Sequence, residues 1–154
     1  MEAPKIRRCE ARTVIAMRHQ GSYDEIGKVY GALSDWARRH GAKVVGRGLT
    51  IFLSPPKEFD SATALFEVCL PVETAPKADR DVVVKTLPAC SAAVVRVKGP
   101  YSKIPAHYSE MLAWLSAEGR EIIGPPREAY IIHPNDAGGD PNEFVTEIQF
   151  PVSE

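Results

Sequence analysis

Two stretches of this chain, one in each half, are copies of one another, and a duplicated unit limits the architecture more than any local pattern does. Sliding the sequence along itself until Val14 meets Ala92 lays the whole stretch from Val14 to Gly46 on Ala92 to Gly124. Arg18 then meets Arg96, Gly21 meets Gly99, Tyr23 meets Tyr101 and Ile26 meets Ile104. Tyr30 likewise meets Tyr108, Trp36 meets Trp114, Gly41 meets Gly119 and Gly46 meets Gly124, while Val44-Val45 falls on Ile122-Ile123. Further on, FEVCLPV at 66–72 matches TEIQFPV at 146–152 once two extra residues are allowed in PNDAGGDPNE, so Glu67 corresponds to Glu147. The 154 residues are therefore expected to form a single domain of two repeats, about 5–72 and about 82–152, joined by a linker at 73–81.

Each copy reads as strand, helix, strand, strand. Thr13 to His19 is rich in β-branched and apolar residues, and Gly21-Ser22 then offers a break and a helix cap. A helix is expected from about Asp24 to His40, because Ile26, Val29, Tyr30, Leu33 and Ala37 recur at intervals of three and four. Gly41 suits the position that ends it. Leu49 to Leu53 and Ala64 to Val72 follow as strands around the turn-rich SPPKEFDS. In the second copy the series is Ala92 to Val97, Ser102 to Glu118, Arg127 to His133 and Phe144 to Val152. A βαββ unit cannot cover its own sheet alone, so the expected fold is α+β: duplicated βαββ units about a pseudo-two-fold axis, antiparallel strands, two main helices and a central cleft.

The balance of 19 Lys+Arg against 20 Asp+Glu gives a net charge of −1, so no general attraction for nucleic acid or anionic lipid is expected. No apolar run approaches the roughly 20 residues that span a bilayer, and MEAPKIRRCE carries no signal segment, which predicts a cytosolic protein without membrane contact. Cys9, Cys69 and Cys90 lack CxxC spacing and read as small buried residues rather than a disulfide framework or zinc site. His19, His40, His107 and His133 are scattered, and neither a metal nor an organic cofactor is expected.

Strand alternation nominates the candidate site. Val145, Glu147 and Gln149 share one face of their strand, with Thr146, Ile148 and Phe150 on the other, the latter two facing the helices. Glu128 and Tyr130 share a face in REAYIIH, and Glu67 shares one with Cys69. A carboxylate within an apolar strand is costly unless paired, hydrogen-bonded or protonated. Two readings stand: these glutamates face solvent or pair with Arg18, Arg96 or Lys98, or they line a ligand cleft. The aromatic residues Tyr30, Tyr108, Trp36 and Trp114 divide in the same way between core and cleft, the tryptophans lying off the main stripe.

The segments HQGSYDEIGKVYGALSDWARRHG, KGPYSKIPAHYSEMLAWLSAEG, IIGPPREAYIIHP and TEIQFPV, in this order and duplicated, resemble the GyrI-like (gyrase-inhibitor-like) or AraC-type effector-binding domain from about Ile6 to Val152. That resemblance implies a small-molecule-binding domain whose cleft captures hydrophobic, often aromatic and cationic, ligands through a buried glutamate and aromatic side chains. Glu147 in TEI matches the central glutamate, and Glu128 in PREAY a second acidic pocket position. Gln149 stands where some multidrug-binding relatives have tyrosine. The implied ligand set is thus Glu147, Glu128, Tyr130, Gln149, Trp114, Trp36, Tyr108 and Glu67. Stand-alone relatives that hydrolyse cyclopropane-type DNA-alkylating natural products imply an alternative, with Glu147 as general base and Tyr108 or Tyr130 assisting. A third implied role is binding a protein, gyrase or a regulator. With too few residues before Val14 for a helix-turn-helix module, a stand-alone domain is expected.

Overall fold

The computed structural model describes residues 3–22, 25–54, 64–74, 76–132 and 138–154. Tyr23, Asp24, most of the SPPKEFDS turn and His133 lie outside the described residues. The described residues form eight strands and two α-helices: β1 (Lys5–Cys9), β2 (Arg12–Gln20), α1 (Ile26–Arg39), β3 (Leu49–Phe52), β4 (Leu65–Pro71), β5 (Val83–Leu87), β6 (Cys90–Lys98), α2 (Ile104–Glu118), β7 (Arg127–Ile132) and β8 (Val145–Val152). The fold is α+β with antiparallel strand pairing, as the repeat predicts. No helix of the described residues is long and apolar enough to cross a membrane.

The chain divides into two compact units, one holding Met1–Cys9 with Cys90–Glu154 and the other Glu10–Ala89. In the Glu10–Ala89 unit the strands run β3-β4-β2-β5; in the other they run β7-β8-β6-β1. Each order is the same once β2 is equated with β6, β3 with β7, β4 with β8 and β5 with β1. The sequence pattern showed neither β1 nor β5. Together they exchange the copies' leading strands: β1 opens the first copy but pairs with β6 of the second, and β5 opens the second but pairs with β2 of the first. The register extends the repeat backward at the same offset, since Arg7 opposes Ala92 while Lys85 opposes Val14.

Each unit buries one sheet face beneath its helix. Ile15, Phe66, Val68 and Leu70 pack with Val29, Leu33, Trp36 and Ala37 of α1; Val95, Ile148 and Phe150 pack with Met111 and Leu115 of α2. Side chains three, four and seven residues apart share a helix face, which is why Trp36, seven after Val29 and three after Leu33, joins this core. Its indole lies within the apolar stripe rather than beside it, 4% exposed. It stacks on His40 and donates from Nε1 to Asp79 Oδ2 at 2.8 Å.

The helix starts differ from expectation. The N-cap position of α1 is Glu25, whose N–H donates to the Ser22 backbone carbonyl at 3.0 Å. A 3-10 turn over Tyr101–Lys103 precedes α2. Pro105 accounts for this start: a residue without an N–H is tolerated only in the first turn of a helix. Both helices end at a glycine in the left-handed region, Gly41 and Gly119, each with φ of 68°. A Cβ at either would meet open space, so conformation alone selects glycine. Gly41→Ala and Gly119→Ala are each expected to lower unfolding free energy by about 1 kcal/mol in urea titrations, without altering the far-ultraviolet spectrum.

Candidate functional site

The registers of β6, β7 and β8 sort the expected site residues onto two opposite faces of one sheet. Directly opposed residues of an antiparallel pair point to the same side. Glu147 opposes Arg96 on β6 and Ala129 on β7, and Gln149 opposes Arg127. Glu128 opposes Ile148, and Tyr130 opposes Thr146. Glu128 and Tyr130 therefore lie on the face covered by α2, and Glu147 and Gln149 on the other. The two glutamates are near in sequence register yet do not converge.

Glu147 has no exposure to solvent and is saturated with donors. Arg7 grips it in a two-pronged pair, Nη1 donating to Oε2 at 3.0 Å and Nη2 to Oε1. Arg96 Nε donates to Oε2 at 3.0 Å, and Gln149 Nε2 to Oε1 at 2.8 Å. Arg127 extends the network by donating from Nε to Gln149 Oε1 at 2.9 Å. Three guanidiniums thus stand on this face around one carboxylate. The repeat reproduces the pattern: Glu67, 3% exposed, accepts from Lys85 Nζ and lies 3.5 Å from Arg18 Nε. Arg7 and Lys85, like Arg96 and Arg18, occupy corresponding positions. Burial of a carboxylate is offset here by paired cations, the structural solution the chemistry requires.

Glu128 is held differently. The residue as a whole is partly accessible while its carboxyl is buried, and Tyr108 Oη donates to its Oε2 at 2.5 Å. Among the described residues no Lys, Arg or His is ion-paired with it. Burial of the carboxyl in apolar surroundings pushes its pKa from 4.5 up to about 7, with the tyrosine hydrogen bond opposing that rise. Its partner Tyr108 belongs to one of two aromatic groupings in this unit. Tyr108 meets Phe150 edge-on with centroids 5.7 Å apart, and Tyr101 lies 6.3 Å from Tyr130 and 5.1 Å from Phe144. Trp114 packs partly buried against the same core.

The first copy serves as an internal control. The repeat offset that lays Tyr30 on Tyr108 also lays Thr50, fully buried, on Glu128 and Phe52 on Tyr130. Tyr30, the counterpart of Tyr108, accepts a hydrogen bond from the Gly48 N–H at 3.3 Å, and its ring leaves no room for a Cβ there. The fold accommodates a neutral residue where Glu128 stands, so the carboxyl is not a requirement of the architecture. Trp36 and Glu67 belong to this first-copy unit, one in its core and one in its ion cluster. Sequence reading missed Arg7, Lys85 and Arg127. The signal for the first two was the backward extension of the repeat, which lays Arg7 on Lys85.

The chain belongs to the GyrI-like family, matching the GyrI-like small molecule binding domain over residues 2–153. No curated protein matches it. The crystal structure of the EcmrR C-terminal domain is similar to it with a TM-score of 0.89 and 23% identity, covering 99% of this chain and 98% of that one. In the EcmrR–DNA complex the likeness is again 0.89 at 22% identity, and this chain, 99% covered, spans only 57% of the longer protein. A hydrolase encoded by lin2189 from Listeria innocua scores 0.62 at 14% identity, covering 97% and 91%. SAV2435 bound to tetraphenylphosphonium scores 0.57 at 11% identity, covering 99% and 94%. At such identities the likeness establishes the fold.

Removing Arg7 should leave the buried Glu147 charge with Arg96 as its remaining ion-pair partner. Arg7→Ala is expected to cost about 2 kcal/mol in chemical denaturation. Adding Glu147→Gln to that variant should recover much of the loss, a coupling that a double-mutant cycle measures.

Proposed function

We propose that this GyrI-like domain captures hydrophobic, aromatic cations, and that Glu128, with Tyr108, Tyr130 and Trp114, is the group that receives them. The observation carrying this reading is the contrast between the glutamates: Glu147 and Glu67 already have cations, whereas Glu128 has a tyrosine hydroxyl and a pKa raised to about 7. A cation entering beside Glu128 supplies the missing counter-charge, and each aromatic face adds about 0.5–2 kcal/mol of cation–π attraction. Neither contribution demands directional fit, so ligands of varied shape are accommodated. Tetraphenylphosphonium, the ligand of the SAV2435 structure, has this chemistry and is the natural probe.

The carboxylate, not the carboxylic acid, attracts a cation. Calorimetric titration with tetraphenylphosphonium should therefore show affinity rising about tenfold from pH 6 to pH 8 as Glu128 ionises. Glu128→Gln should weaken binding about tenfold at pH 8 and flatten the pH dependence, while Glu147→Gln leaves that dependence in place. No binding by the wild type, or an unchanged pH profile in Glu128→Gln, would contradict the assignment. Linkage gives a second readout without ligand. Because the folded pKa is raised, the stability tied to protonated Glu128 is full below about pH 4.5 and lost as pH rises through about 7. The unfolding temperature of the wild type should fall relative to Glu128→Gln across that window.

A second reading rests on the same geometry. A carboxyl titrating near neutrality beside a tyrosine hydroxyl suits general base catalysis of water attack on an electrophile. If the domain hydrolyses a cyclopropane-bearing alkylating compound, Glu128 takes the base role, since Glu147 is occupied by arginines. Turnover should then vanish in Glu128→Gln with substrate binding retained; absence of turnover by the wild type would remove this reading and leave the binding one intact.

A further inference from the structure

We propose that Cys9 and Cys90 form a reversible cross-strand disulfide that fastens β1 to β6 when the protein meets a hydroperoxide. The register places the two residues directly opposite one another, the last residue of β1 against the first of β6. Opposed residues in an antiparallel pair have Cα atoms about 4.5–5.5 Å apart, within the roughly 4.4–6.8 Å span that a disulfide requires. Both thiols point to the face opposite α2 and both are partly accessible, unlike Cys69, which is buried.

Each sulfur also has its own guanidinium. Arg7 Nη2 donates to Cys9 Sγ at 3.9 Å, and Arg127 Nη2 donates to Cys90 Sγ at 3.2 Å. The first copy lacks the pair: the repeat offset lays Cys9 on Leu87 and Arg12 on Cys90, and β5 meets β2 there as Leu87 opposite Arg12. The cysteine pair is thus a property of one unit and not of the repeated fold.

The chemistry balances with a hydroperoxide as oxidant. One thiol sulfur attacks the peroxide oxygen, forming S–O as O–O breaks, and with hydrogen peroxide the departing hydroxide takes the thiol proton and leaves as water. The second thiol then attacks the resulting sulfenic acid, forming S–S as S–O breaks and releasing a second water. Both sulfurs are oxidised and the peroxide is reduced. A dithiol reductant reverses the bond by exchange. The closed loop spans the chain from residue 9 to residue 90, and cross-links over long loops constrain the unfolded chain most. They would also hold in place the strand that carries Arg7, the main counter-ion of Glu147.

The test is oxidation of the full chain with a small excess of hydrogen peroxide, then alkylation under denaturing conditions and peptide mapping. The expected product is a Cys9–Cys90 linked peptide, an intact monomer lighter by two hydrogen masses, and a higher unfolding temperature that returns to its starting value with dithiothreitol. Cys9→Ser and Cys90→Ser should each abolish the link and the temperature shift, and Cys69→Ser should keep both. The proposal is overturned if both thiols are alkylated after oxidation, if the link joins two chains or involves Cys69, or if the folded protein forms it no faster than the protein in guanidinium.

Discussion

The strands β4 and β8 each carry a glutamate through the hydrophobic interior, and the way each finds that charge a partner organises the molecule. In each unit the partner set is the same: an arginine from the strand alongside, Arg96 or Arg18, and a second cation from the outermost strand, Arg7 or Lys85. That outermost strand is the one exchanged between copies. The exchange and the ion cluster are therefore one device, since the cation that compensates each copy's buried carboxylate arrives on the leading strand of the other copy. Desolvating a carboxylate is so unfavourable that an edge strand supplying its counter-charge is bound into the unit by more than its backbone hydrogen bonds.

Duplication also separates what the fold needs from what it does not. Positions that agree between copies, such as the glutamate with its two cations and the glycine closing each helix, are explained by burial and backbone geometry. Where the copies part, the reason has to be sought elsewhere. Thr50 in one unit and Glu128 in the other occupy equivalent places, and only the second leaves a carboxyl with a phenol for company. The tyrosines follow suit: Tyr30 is wedged against Gly48, whereas Tyr108 holds Glu128.

Much of this was legible in the sequence because identity at a fixed spacing is a nonlocal signal written locally. Helices, central strands and the α+β class followed from it. The leading strands did not. The reason KIRRC is a strand lies 140 residues away, where Arg7 finds Glu147. The candidate site was partly legible for a similar reason. Alternation along a strand tells which residues share its own face, but which face of β7 matches which face of β8 depends on register. Glu128 and Glu147 were both visible as unusual carboxylates; that they look in opposite directions is settled by cross-strand pairing.

The central claim is that Glu128 is the uncompensated carboxyl on which ligand capture turns, and its ionisation can be watched directly. Carbon-detected NMR titration of side-chain carboxyls, with Glu128 assigned by its Gln variant, should place its pKa at about 7 in the free protein. Saturating tetraphenylphosphonium should draw that value down toward the ordinary glutamate range. A Glu128 that titrates as an ordinary glutamate in the free protein, or whose titration is indifferent to the bound cation, would contradict the account.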